Sequence, residues 1–455
     1  MTPSLGQPEM VSLQPLQAIC DALLERGREC VAKSAAGLCR LEVEFNPPGE
    51  SALIAADSKL PFFYFRHRDE NQSYFGLDRA AWFAGPAWEA AGRARALLLQ
   101  SAPGIRAYGG GRFDPHAARK SEHWAPFSDG LIFVPRLEVS QSGDRSVAAL
   151  HFRAEEDAYD LLAQWREQLT ESAMRCAGNL LHGPLLHQPA REAWNQVIQE
   201  SLAAIAEGPL QKVVAAREST LTLRGDGTAG LVLERLWRGN PSCFHFAFRP
   251  RQGAPLFAGA SPELLFERDG RSLRTEAVAG TCPRGDNQAA DLRLARAMQE
   301  NDKEQREHDA VAASIRDALA PLLDEVGPRQ DVTVLKLAHL QHLRTKFSGT
   351  LHPAVADAEL LQKLHPTPAT NGSPTAEAMA WLRTHESWDR GWYAGPLGVM
   401  SADQSTFTVA IRSALLDAET VRIFAGAGLV NGSDADSEWA EIEAKSGEFI
   451  RHLTP

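Results

Sequence analysis

Lys212 opens the apolar run Lys-Val-Val-Ala-Ala. A lysine at the head of such a strand must reach solvent or lie in a pocket. In a pocket, desolvation lowers its pKa from about 10.4 toward the range of a usable base; at a sheet edge it snorkels. Glu263 lies within the apolar stretch 257–266, where a carboxylate is costly unless partnered or protonated. One outcome is a general acid with a raised pKa, the other a buried Glu satisfied by an Arg. Arg412 shares its expected strand face with the small residues Thr408, Ala410 and Ala414, opposite Phe407, Val409, Ile411 and Leu415. That leaves room for bidentate contact with a carboxylate, or marks an exposed face carrying one Arg.

Glu304 and Glu307 are three residues apart on one expected helix, as are Glu438 and Glu441 on another, with Lys445 one turn beyond. Two facing acidic pairs suit Mg²⁺, a hard cation that takes oxygen ligands. Solvated helix charge is the ordinary reading of such pairs. Gly426-Ala427-Gly428 follows an expected strand; its amides form an anion cradle or simply a turn. His339 and His342 lack a third nitrogen or sulfur ligand at suitable spacing, so zinc has weak support. His365-Pro366-Thr367-Pro368 reads as a rigid turn, and Ser373-Pro374 as a helix cap followed by Pro at the first helical position.

The elements that must position these residues are strands at 210–217, 243–248, 255–267, 273–280, 392–401, 406–416 and 421–425. Helices are expected at 190–206, 230–237, 290–323 and 436–453. Phe244, Phe246 and Phe248 alternate with Cys243, His245 and Ala247. Strands adjoin one another through short turns without βαβ alternation, so the expected class is α+β, with large antiparallel sheets covered by helices. Residues 1–187 carry shorter segments and more loop signals, among them Pro47-Pro48-Gly49 and the triplet Gly109-Gly110-Gly111, read as a tight turn. Residues 188–455 are more regular and hold the candidate chemistry. The two parts are expected to form one integrated unit, with residues 1–40 as a helical cap.

The chain has 455 residues, 44% apolar and 23% charged, which is globular composition. Its formal charge of −11 argues against a general nucleic-acid binder but not against a small anionic substrate held by local cations or a metal. No segment approaches the roughly 18 apolar residues of a membrane span. The N-terminus does not read as a secretory signal. Cys20, Cys30, Cys39, Cys176, Cys243 and Cys282 form no C-x-x-C pair and fit reduced thiols, so a cytoplasmic, membrane-free setting is expected.

Order along the chain adds to these residues. KVVAAR (212–217), GASPELL (259–265), AVAGT (277–281), EHDAV (307–311) and LQHL (340–343) are followed by HPTPA (365–369), DRGWYAGPLG (389–398), FTVAIRSALL (407–416), FAGAG (424–428) and SEWAEIEAK (437–445). The set resembles the chorismate-utilising enzymes, most closely the isochorismate synthases. It covers about 188–453 strongly and the N-terminal part loosely. The resemblance implies sheets packed together inside helices, and an active site in the C-terminal part. It implies Lys212 as the base activating water for attack at C2 of chorismate, and Glu263 as the acid protonating the departing C4 hydroxyl. Glu307 and Glu441 match metal ligands for Mg²⁺, with Glu304 and Glu438 beside them. Gly280, Thr281, His342, Ala369, Tyr393, Arg412, Gly426, Gly428 and Lys445 match substrate-binding positions. Ammonia-using relatives typically lack the Lys212 equivalent, and some carry a nucleophilic Lys where this chain has Ala279. Water is therefore the expected nucleophile, and no glutamine amidotransferase partner is implied. Salicylate synthases, the alternative, tend to have Thr where this chain has Ala369. Tyr393 and SEWAEIEAK look more like the menaquinone-pathway type, while siderophore-pathway relatives share Gly-Trp-Tyr.

Overall fold

The structure, a computed structural model, describes residues 10–11, 14–26, 31–32, 34, 36–45, 60–118, 121–168, 174–175, 181–223, 229–328, 330–417 and 420–453. Cys30, Cys176 and Pro47-Pro48-Gly49 lie outside them.

Two large antiparallel sheets dominate, as the strand pattern implies. The larger runs Leu181–Gln188, Lys212–Leu223, Thr420–Leu429, Ser413–Leu416, Leu256–Ser261, Phe244–Arg249, Phe62–Arg66, Gln72–Leu77, Leu137–Ser142, Arg145–Arg153, Leu38–Glu44, Val31–Ala32. The other runs Leu323–Val326, Leu340–Leu351, Ser272–Pro283, Leu264–Asp269, Gln404–Val409, Pro396–Met400, Ala107–Gly111, Gly130–Val134, Ala81–Ala84. Each therefore contains strands from both sides of residue 187. Their inner faces meet through aromatic side chains. Phe63 lies 5.0 Å from Tyr108, and Phe133 6.0 Å from Phe248, which stacks on Trp392 at 5.0 Å. Phe244, Phe246 and Phe248 point into this layer, while Cys243 and Ala247 join the core beneath the outer helices. The alternation in sequence thus separates two buried faces. Helices Gln14–Arg26, Ala158–Gln168 and Ala229–Gly239 cover the first sheet, and Ala87–Leu98, Asp302–Leu319 and Asp357–Leu364 the second.

Five local expectations are corrected. The stretch 255–267 is two strands, one in each sheet, with the chain crossing at Pro262-Glu263. The stretch 406–416 also splits between sheets, and Arg412 sits in the crossing with φ of 50°. The helix expected over 290–323 is two, Gln288–Glu300 and Asp302–Leu319, because the Asn301 side chain accepts the N–H groups of Lys303 and Glu304 as a new N-cap. Gly426-Ala427-Gly428 lies inside a strand, paired with Val214, Ala215 and Ala216, rather than after it. Gly109-Gly110-Gly111 is also strand, not turn: a Cβ at Gly109 or Gly110 would strike the backbone of a neighbouring strand at Leu131 or Pro396. In addition, Pro374 itself caps the helix Thr375–His385, and Ser373 pairs with Lys212 in the sheet.

Candidate active site

One cavity gathers residues that the sequence scatters over more than two hundred positions. Its walls include Glu263, Gly280, Thr281, Glu307, His342, Ala369, Tyr393, Arg412, Gly426, Gly428 and Lys445. Two of these, Glu263 and Arg412, stand where the chain passes between sheets. A crossing interrupts the ladder, so side chains there turn into the gap instead of packing on a sheet face.

Lys212 is fully buried at the start of its strand, and its Nζ donates to Glu307 Oε1 at 2.9 Å. Gly428 makes this contact possible, since a Cβ there would lie 2.5 Å from Glu307 Oε1 and 2.9 Å from Lys212 Cε. Lys445 Nζ donates to Glu441 Oε1 at 2.6 Å and to the Gly426 carbonyl at 2.9 Å. Lys303 Nζ donates to Glu438 Oε1 at 2.8 Å, joining the two acidic helices Asp302–Leu319 and Ala435–Leu453. Glu304 Oε2 accepts the Thr281 N–H at 2.8 Å.

Four carboxylates thus face three ammonium groups. Burial, with Glu307 nearby, raises the Glu304 pKa, and burial with Glu441 nearby raises that of Glu438. Burial also works against Glu307, but Lys212 holds it below the usual carboxylate range. Among the described residues Glu438 Oε2 is buried with no hydrogen-bond partner. Such a set, all oxygen donors and short of positive charge, fits a hard divalent cation. No three of these carboxylates bring ligand atoms within 4.8 Å of one another; among the described residues that spacing is met by His67, Glu70 and Glu267. There His67 Nδ1 accepts the N–H groups of Asp69 and Glu70, so the proton sits on Nε2 and blocks ligation. His339 is exposed and His342 buried, and they form no zinc site.

Glu263 is 3% exposed. Burial pushes its pKa up to about 8; a hydrogen bond from Thr367 Oγ1, 3.1 Å from Oε1, opposes this and the charge of Glu276 adds to it. His342 Nδ1–H donates to the Gly280 carbonyl at 3.1 Å, so Nε2 accepts from Arg412 Nη2 at 3.3 Å. Burial, then Arg412, lowers the His342 pKa to about 3. The ring therefore steadies the guanidinium without adding charge. Tyr393 stacks on Phe424 at 5.4 Å, and burial pushes its phenol up to about 12.

Sequence reasoning passed over Thr367, the hydroxyl on Glu263, although it stands inside the HPTPA turn. It also passed over Thr370 of the cavity wall and Lys303, the cation between the acidic helices.

A family model described as "Chorismate binding enzyme" matches residues 41–454. Isochorismate synthase MenF of Escherichia coli is 32% identical over 401 residues, 86% of this chain and 88% of that protein. A salicylate biosynthesis isochorismate synthase of Pseudomonas aeruginosa is 38% identical over 346 residues, 74% of this chain and 71% of that protein. Against the chloroplastic isochorismate synthase 2 of Arabidopsis thaliana the identity is 34% over 79% of this chain, and the match spans 66% of the plant protein. The solved structure of the menaquinone-specific isochorismate synthase of Escherichia coli superposes with a TM-score of 0.83 at 30% identity, covering 97% of this chain and all of that one. The chain belongs to the chorismate-binding enzymes, and the curated relatives named above are isochorismate synthases.

Proposed function

We propose that the protein converts chorismate to isochorismate with Mg²⁺. The observation that carries the reading is Glu263, a buried carboxyl raised by burial to about 8, in a cavity whose wall also holds Glu307, the partner of the buried Lys212. Water is a poor nucleophile and hydroxide a poor leaving group, so a base and an acid are both needed. Lys212 takes a proton from water as its oxygen bonds to C2. The ring double bond shifts, the C4–O bond breaks, and Glu263 gives its proton to the departing hydroxyl, which leaves as water. Lys212 acts as the neutral amine, whose lone pair takes that proton while an N–H still donates to Glu307. Each turnover leaves the proton on Lys212 and the charge on Glu263, and both are reset through solvent.

Arg412, steadied by His342, and the donors beside Gly426 and Gly428 are the groups to hold the substrate carboxylates. Glu307 and Glu441 would hold Mg²⁺, with Glu304 and Glu438 beside them. Bound there, the ion supplies positive charge for a substrate carboxylate and orients the ring. Water as nucleophile requires no ammonia-delivering subunit. Relatives named for menaquinone and for salicylate biosynthesis share isochorismate synthesis, which supports that product over any one pathway. No helix among the described residues is long and apolar enough to cross a membrane.

The test is purified protein with chorismate, with and without Mg²⁺, products resolved by chromatography and mass. An isobaric product that requires Mg²⁺ is expected. Salicylate with stoichiometric pyruvate would move the assignment to the lyase, and unchanged chorismate would reject both.

A further inference from the structure

The crossing that carries Glu263 is fastened from a distant part of the chain. Glu263 N–H is held by Ser261 Oγ at 3.2 Å, and its carbonyl accepts from Thr408 Oγ1 at 2.6 Å and the Val409 N–H at 3.1 Å. The peptide groups on either side have other partners. The Pro262 carbonyl accepts from Arg68 Nη1, and the Leu264 N–H donates to Glu276 Oε1 at 3.1 Å. Arg68 and Glu276 are themselves joined as a fork, Nη1 to Oε1 at 2.6 Å and Nη2 to Oε2 at 3.0 Å. One ion pair therefore brackets Glu263 in front and behind, and its side chains are only 3% and 2% exposed.

Arg68 is delivered already oriented. It sits in the turn between Phe62–Arg66 and Gln72–Leu77, where His67 Nδ1 accepts the N–H groups of Asp69 and Glu70 at 3.1 and 3.0 Å. Its Nε donates to Asp69 Oδ2 at 3.0 Å, and its guanidinium lies 4.8 Å from the centre of the Phe244 ring. A planar fork can grip a carboxylate with both arms while one arm also holds a carbonyl; the point charge of a lysine cannot. The Glu263 carboxyl has a single side-chain partner of its own among the described residues, Thr367. Its aim is accordingly set by the backbone that Arg68 and Glu276 hold.

We infer that Arg68, paired with Glu276, is a positioning residue for Glu263, fixing the crossing so that the carboxyl points at the departing oxygen. This rests on the proposed role of Glu263 as the acid. The charge of Glu276 also adds to burial in keeping that carboxyl protonated.

The test compares wild type, Arg68→Ala, Arg68→Lys, Glu276→Gln and Glu263→Gln with chorismate and Mg²⁺, recording kcat, KM, pH profile and melting temperature. Misplacement of a reacting group predicts that Arg68→Ala loses about 10- to 100-fold in kcat per folded molecule, with KM within about threefold. Arg68→Lys should recover part of the loss. Glu276→Gln should lose less, and its high-pH limb should move to lower pH, because a negative neighbour of Glu263 is gone while the Arg68 cation remains. A brace with no bearing on the chemistry would lower the melting temperature and leave kcat per folded molecule and the pH limb as in wild type; that result overturns the inference. Should Arg68→Ala not fold, Arg68→Lys and Glu276→Gln decide by the same two readouts. Full activity in Glu263→Gln would reject the acid itself. Loss in Glu263→Gln with none in the other variants would reject only the positioning role.

Discussion

Glu138 and Glu263 are both enclosed within the sheets, at 0% and 3% exposure, yet they titrate in opposite directions. Glu138 accepts from Arg106 Nη1 at 2.7 Å, Arg40 Nη1 at 3.3 Å and Tyr108 Oη at 2.7 Å. Burial raises its pKa, but Arg106 and then Arg40 outweigh burial and bring it to about 2. Glu263 has a hydroxyl for a partner and stands at about 8. Burial acts the same way on each; two guanidiniums make the difference. The first is a fixed ion that ties the strand Leu137–Ser142 to its neighbours. The second is a stored proton.

The comparison breaks most sharply on activity. Loss of a general acid predicts that Glu263→Gln lowers kcat by about 10²- to 10⁴-fold. Glu138→Gln should leave kcat per folded molecule within a few-fold of wild type. A comparable loss in both would erase the distinction.

Stability should separate them next, with opposite signs. Glu138→Gln takes a fully buried carboxylate away from the part-exposed Arg106 and from buried Arg40, which keeps Glu42, and should cost about 3 kcal/mol at neutral pH. Its folded pKa is depressed, so the stability it contributes is present above about 4.5 and is lost as pH falls toward 2. The gap between wild type and Glu138→Gln should therefore close in acid. For Glu263 the folded pKa is raised. Its contribution is full below about 4.5 and is lost as pH rises through about 8. Relative to wild type, Glu263→Gln should be more stable at pH 8 than at pH 5. Urea unfolding at several pH values measures both.

The same proton should be visible in turnover: kcat/KM falls as pH rises through about 8, and the limb disappears in the residual activity of Glu263→Gln. A limb unchanged in that variant would assign it to another group. The smallest effect lies at the helix break. Asn301→Ala removes an N-cap and should cost about 1 kcal/mol, with a modest rise in the Mg²⁺ concentration needed for half-maximal rate, since Asn301 sets the first turn that carries Glu304.

The local pattern was legible where one rule governs several neighbours. Period two gave the Phe244 strand its two faces, and helical spacing placed the helix expected at 190–206, found as Arg191–Glu207. The break at Asn301 was also readable, because an Asn three residues before Glu304 is an N-cap signal that the charged run obscured. The crossings at Glu263 and Arg412 were not readable. A continuous apolar stretch looks the same whether it stays in one sheet or passes between two. The glycine triplet misled for a related reason, since a turn and a crowded central strand both exclude side chains.

By itself the sequence determined the α+β class, the residue types of the cavity and, through its ordered motifs, the family. Tertiary structure decided which of two equal readings each residue took. Lys212 is buried against Glu307 instead of snorkelling, and Glu263 meets a hydroxyl instead of an Arg. Tertiary structure also brought Arg68, for which the sequence offered no reading, to Glu276 across 208 positions. The physical reason is that a charge takes its character from its neighbours, and these neighbours arrive from other strands and helices only when the sheets close on each other.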